Sequence, residues 1–177
     1  MSIGRVANLF ARRATLASLL AAACVATGAV GQAESVEKID VTEAARRIGQ
    51  SGRPTVLLLY ATTCSLSQEM FPRFVELADE YQARGVTFLV FSTDQPKNAY
   101  WIPEFLAQNK AAFSPVMLRP WASGDLGRAL RTVGINIGST WTRPLVVVID
   151  GNDRVVMQTN GETDLSPLRA AIARVAG

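Results

Sequence analysis

The 177-residue chain carries 18 Lys and Arg against 15 Asp and Glu, with no histidine, two cysteines and 49% hydrophobic residues. Such a length and apolar content suit one compact domain and exclude a predominantly disordered chain. The absence of imidazole excludes Ser-His and Cys-His nucleophile pairs, His-ligated zinc and proximal-His haem.

The formal charge of +3 belongs to the N-terminus, because residues 1–33 contain Arg5, Arg12 and Arg13 and no other charged side chain. An alanine-rich apolar run follows and ends at Gly31, Gln32 and Ala33. A positive segment, an apolar stretch and small residues at the positions a signal peptidase probes define a secretory signal peptide over 1–33, with cleavage expected after Ala33. With three of the 18 basic residues gone, the domain over 34–177 is formally neutral, at 15 of each sign. It lacks the basic footprint of a nucleic-acid binder. The alternatives for this segment are a twin-arginine signal at Arg12-Arg13, a lipidated Cys24, and an uncleaved anchor. Membrane attachment is expected only in the last two cases. The run is weakly hydrophobic for the roughly 20 residues that a membrane span needs. If Cys24 leaves with the signal, Cys64 stands alone and no disulfide can form within the chain.

Residues 35–40 alternate in polarity, and Asp40 with Glu43 resembles a capping box opening a short helix through Ile48, closed by Gly52 and Pro54. Residues 55–60 (TVLLLY) form a continuous apolar run, the pattern of a strand buried on both faces. From residue 65 to 84, Leu66, Met70, Phe74, Leu77, Ala78 and Tyr81 recur at helical spacing, with Pro72 expected to kink the helix and Gly85 to stop it. Residues 86–91 (VTFLVF) predict a second buried strand, followed by a loop over 93–96 and a helix to about Gln108. A short strand over 113–118 and a short helix over 124–133 come next, and residues 145–149 (LVVVI) predict a third strong strand. Asp150-Gly151-Asn152-Asp153 turns that strand into an antiparallel partner over 154–159. The final helix is expected to take Ser166 as N-cap and Pro167 as its first residue. The alternation predicts an α/β fold, a mixed central sheet flanked by helices, with a C-terminal β-hairpin plus helix.

The first buried strand leads through Ala61, Thr62 and Thr63 to Cys64, at the mouth of the longest helix. A helix N-terminus offers unpaired N–H groups and the positive end of the dipole, and both favour a thiolate. Ser67, one turn further on, carries a hydroxyl able to donate to that sulfur or to cap the helix. The alternative is an inert thiol serving as a small hydrophobe.

These segments resemble the thioredoxin superfamily, most closely the exported TlpA/ResA-like thiol-disulfide oxidoreductases of bacteria. The resemblance rests on residues 55–64 (TVLLLYATTC), the Cys64 to Ser67 window, Phe71-Pro72, residues 88–94 (FLVFSTD) and residues 143–156 (RPLVVVIDGNDRVV), in that order. It implies a thioredoxin-like fold, a periplasmic location, and a cis Pro144 facing Cys64, with the backbone of Arg143 presented to an extended peptide. The chain departs from the usual Trp-Cys-x-x-Cys pattern by having Thr63 before the cysteine and Ser67 in place of the resolving cysteine. Met70 occupies the place where an acidic residue is common, with Glu69, a solvated helix-face acid, beside it. The stretch 136–143 (NIGSTWTR) is longer than usual and is expected to bring Trp141 to the site as an apolar wall.

The resulting expectation is a monothiol exchanger of disulfides or mixed disulfides, with Cys64 and Ser67 at its centre and Thr63, Trp141, Arg143 and Pro144 lining the substrate. Its partners are protein or glutathione thiols and disulfides, with an external thiol for resolution. No metal or cofactor is expected. Residues 150–153 suit a turn better than a calcium loop, and Cys64 with Met70 or Met117 is a poor Cu(I) site. The alternative is a non-catalytic binding or chaperone module for extended periplasmic clients.

Overall fold

The computed structural model describes residues 35–138 and 140–177; the segment 1–33 expected to be a signal peptide, with Cys24 and the expected cleavage point at Ala33, lies outside the described residues. Six strands form one sheet: β1 (Glu37–Ile39), β2 (Thr55–Tyr60), β3 (Thr87–Ser92), β4 (Val116–Leu118), β5 (Leu145–Ile149) and β6 (Val155–Asn160). Five helices accompany them: α1 (Val41–Gly49), α2 (Ser65–Gln82), α3 (Trp101–Gln108), α4 (Asp125–Arg131) and α5 (Ser166–Val175), with one 3-10 turn at Pro96–Asn98. The strand order is β1-β4-β3-β2-β5-β6. The first four are parallel to one another, and β5 and β6 run antiparallel to their neighbours.

The unbroken apolar run of β2 has a two-sided cause. Val56, Leu58 and Tyr60 face a core shared with α2 and α5, while Leu57 and Leu59 face a second core shared with α1 and α4. All six β2 residues are buried. In α2 the predicted stripe is inward, with Met70, Phe74, Leu77, Ala78 and Tyr81 buried, although Leu66 is exposed. Pro72 lies within the helix without ending it. Phe71, fully buried, meets the rings of Tyr60 at 5.0 Å and Phe105 at 4.7 Å. No helix among the described residues is long and apolar enough to cross a membrane.

Two capping expectations change in the structure. Asp40 Oδ1 accepts from Glu43 N–H at 2.8 Å, but Glu43 does not close the box. Its carboxylate instead takes Arg46 and Arg47, whose hydrogen bonds hold it down at about 2. In α5 the N-cap is Leu165, not Ser166, and Pro167 is the second helical residue. The reason is burial: Leu165 is drawn into the core, and the preceding Asp164 Oδ1 accepts from Ser166 N–H at 2.9 Å in its place. At the hairpin, Asp150 Oδ1 accepts from Asn152 N–H and Arg154 N–H, each at 2.9 Å, so this carboxylate is spent on the turn.

The register decides what meets at one end of the sheet. Tyr60 ends β2 opposite Ser92 at the end of β3, because the two strands are parallel. Strand β5 is antiparallel, so its beginning, Leu145, lies opposite Leu59 and also opposite Asn160 at the end of β6. The segments 61–64, 93–94, 142–144 and 161 therefore converge on one edge, although up to a hundred residues separate them in sequence.

Candidate active site

Cys64 is the N-cap residue of α2, with extended backbone (φ −94°, ψ 120°), and its side chain makes no capping hydrogen bond. The turn before it is closed by Cys64 N–H on Ala61 O at 3.1 Å, and α2 begins with Gln68 N–H on Cys64 O at 2.9 Å. An uncapped helix start leaves first-turn amides available to an anion at this position. The thiol is partly buried.

The Arg143–Pro144 peptide bond is cis. Across the site, Cys64 Sγ donates to Arg143 O at 3.7 Å. Arg143 is partly buried and Pro144 is buried. The Arg143 guanidinium carbon lies 5.2 Å from the centroid of the Trp141 ring, and Trp141 packs against the core of α1 and α4. Thr63 is exposed and borders a cleft of about 400 Å³ formed with Thr62, Gln68 and the α3 residues Trp101, Glu104 and Phe105. Thus Cys64, Arg143 and Pro144 come together, Trp141 reaches the site through Arg143, and Thr63 lies on the rim.

Ser67 takes a different place from either expected role. It is the third helical residue of α2, fully buried, and its hydroxyl accepts from Ala61 N–H at 3.4 Å. It therefore braces the turn from behind and makes no hydrogen bond with Cys64 Sγ. Exposure of Glu69 and full burial of Met70 leave no carboxylate under the thiol from this stretch of α2.

A second layer of polar groups, which the sequence pattern does not set apart, lies behind Cys64 and Arg143. Asp94 is buried, and its carboxylate accepts from Thr62 N–H at 2.8 Å, Thr62 Oγ1 at 3.0 Å and Ser92 Oγ at 2.7 Å. Thr93 Oγ1 donates to Tyr60 O at 2.8 Å and accepts from Arg143 Nε at 2.5 Å. Gln68 Nε2 donates to Thr62 O at 2.7 Å. Desolvation, and after it the Asp94 carboxylate, pushes the buried Tyr60 phenol up. The sequence signal for this network is the polar run Ser92-Thr93-Asp94 placed directly after an apolar strand, which loop composition alone also explains.

Gly161 fixes the far side. Its N–H donates to Pro144 O at 2.8 Å, its φ is +67°, and a Cβ there would stand 2.8 Å from Thr142 Oγ1. Gly161→Ala is expected to cost about 1–2 kcal/mol from the left-handed backbone, with the contact adding to it. A urea midpoint equal to that of the parent chain would show that the segment relaxes freely.

No protein-family model matches the chain, and no curated protein matches it in sequence. Solved structures do. A thioredoxin-family thiol:disulfide interchange protein from Chlorobium tepidum TLS is 22% identical with a TM-score of 0.56, over 75% of this chain and 85% of that one. A candidate thiol:disulfide interchange protein DsbE from Chlorobium tepidum is 25% identical with a TM-score of 0.53, over 72% and 82%. A secreted Mycobacterium tuberculosis disulfide oxidoreductase homologous to E. coli DsbE is 19% identical with a TM-score of 0.51, over 70% and 82%. The chain has the thioredoxin-like fold.

Proposed function

We propose that this thioredoxin-fold protein is an exported, periplasmic monothiol that exchanges disulfides or mixed disulfides through Cys64. The observation that carries the reading is the juxtaposition of Cys64 Sγ, at the uncapped start of α2, with the carbonyl of Arg143 at 3.7 Å beside cis Pro144. The first arrangement leaves first-turn amides of α2 free to meet an anion beside the sulfur, and the second supplies backbone against which an extended substrate can lie. Likeness to thiol:disulfide interchange proteins supports the same chemistry.

In this reaction the Cys64 thiolate attacks one sulfur of a substrate disulfide. A Cys64 mixed disulfide forms, the original S–S bond breaks, and the departing thiolate takes a proton from water. Ser67 cannot resolve the intermediate, so an external thiolate must attack its substrate sulfur, freeing Cys64 and leaving a new disulfide between that thiol and the substrate. One disulfide enters and one leaves. Such chemistry suits isomerisation or deglutathionylation of protein thiols more than net dithiol reduction.

Incubation with glutathione disulfide is expected to add one glutathionyl group to Cys64, detected by intact mass and removed by free glutathione. Iodoacetamide is expected to alkylate Cys64 at pH 7 faster than it alkylates free cysteine. Alkylation no faster than that of free cysteine, with no glutathionyl adduct, would sink the reading.

A further inference from the structure

We propose that the Arg143 side chain is a carboxylate subsite, selecting disulfides that carry an acid group within a residue or two of the sulfur that Cys64 attacks. The proposal rests on the exchange reading above and adds a substrate class to it.

The guanidinium is held at two points. Its Nε donates to Thr93 Oγ1 at 2.5 Å, and that hydroxyl is anchored on Tyr60 O at the end of β2. Its planar carbon lies 5.2 Å from the Trp141 ring centroid, which sets the group against an aromatic face. The outer end is unused: among the described residues neither Nη of Arg143 donates a hydrogen bond, and no carboxylate pairs with it. Arg46, Arg47, Arg128 and Arg169 are each paired with a carboxylate of the chain; among the described residues several other arginines are not, and what sets Arg143 apart from them is its anchored Nε and its place at Cys64. The backbone of this same residue meets the nucleophile, through Arg143 O and Cys64 Sγ.

A guanidinium fork matches a planar two-oxygen anion bidentately. Holding the fork in place beforehand lowers the ordering cost of binding. The anion that peptides and small thiols carry close to a cysteine sulfur is a carboxylate. It has two sources here, the glycine carboxylate of a glutathionyl group or an acidic residue next to a client cysteine. In the exchange step Arg143 holds that carboxylate while Cys64–S–S–R forms, the substrate S–S bond breaks, and the other thiolate leaves and is protonated by water. Arg143 itself exchanges no proton or electron.

The test compares the full chain with Arg143→Gln and Arg143→Lys. The rate of mixed-disulfide formation is read by mass spectrometry for glutathione disulfide against its glycine ethyl ester, and for peptide disulfides with Asp or Asn beside the cysteine. The acid-to-neutral rate ratio is expected to fall about ten-fold in Arg143→Gln, the scale of one charge-assisted hydrogen bond, with Arg143→Lys in between. A fall confined to the glutathione pair identifies a small-thiol carboxylate; one confined to the peptide pair identifies an acidic client. A ratio near one in the parent chain, or a ratio unmoved by Arg143→Gln, overturns the proposal. Binding of S-methylglutathione, which cannot exchange, separates the two readings. Affinity that depends on Arg143 in a chain whose Cys64 proves inert keeps the subsite and rejects exchange, whereas affinity independent of Arg143 with a reactive Cys64 does the reverse.

Discussion

Cys64→Ser is expected to abolish mixed-disulfide formation while leaving stability within about 0.5 kcal/mol of the parent chain. A serine hydroxyl fits the space of the thiol at the start of α2 and can donate to Arg143 O, as Sγ does at 3.7 Å. It cannot form a stable sulfur–sulfur bond, and Ser67, buried behind the turn and bonded to Ala61 N–H, offers no substitute. The variant also separates catalysis from simple binding. If Cys64→Ser captures extended, cysteine-free peptides as well as the parent does and sustains the same cellular function, the Arg143–Pro144 edge is a client-binding module and the thiol is incidental. Loss of the adduct on mass spectrometry together with loss of function is the outcome that exchange chemistry requires.

Asp94→Ala should be the most destabilising substitution at the site, by about 3 kcal/mol. Its carboxylate takes three hydrogen bonds, one from the backbone N–H of Thr62 and two from the hydroxyls of Thr62 and Ser92, all in buried surroundings. Alanine leaves the N–H without a partner and opens a small void, and an orphaned buried donor costs about 1–3 kcal/mol by itself. For a domain of this size such a loss corresponds to roughly 10 °C in Tm. The effect should reach the thiol as well, since Thr62 lies two residues before Cys64 and Asp94 anchors the turn that presents it. Slower alkylation of Cys64 is the expected readout. Tyr60 supplies an independent check: without the nearby carboxylate its phenol should titrate lower than in the parent, while burial still keeps it above the ordinary value. Unchanged melting and unchanged alkylation would mean that the Thr62 turn holds without Asp94.

The strands at 55–60 and 145–149 were legible because each is an apolar run between turn residues, a pattern that arises when a strand is covered on both faces; the strand expected over 86–91 lies one residue later, at 87–92, with Thr87 and Leu89 only partly buried. Helix α2 was legible from its spacing, and Cys64 from its position at a strand-to-helix junction, both local properties. The roles of Ser67 and Ser166 were not legible. A hydroxyl near a helix start can cap, donate to a neighbour or brace a turn, and the choice depends on which flanking residue the core pulls inward. For Ser67 that choice followed its own burial, and for Ser166 the burial of Leu165.

The N-terminal charge asymmetry, the lone thiol of the domain and the lack of any imidazole are properties of composition, and no folding changes them. Only the tertiary structure could bring Asp94 to Thr62, Thr93 to Arg143, and Arg143 to Cys64, contacts spanning 32, 50 and 79 positions. They arise because β5 runs antiparallel to β2 while β3 runs parallel to it. That pairing sets the start of one strand beside the ends of two others, and no local pattern of polarity encodes strand direction. The guanidinium of Arg143 is the sharpest instance: in sequence it is one basic group among 18, and in the fold it is a cation clamped by Thr93 and Trp141 beside Cys64.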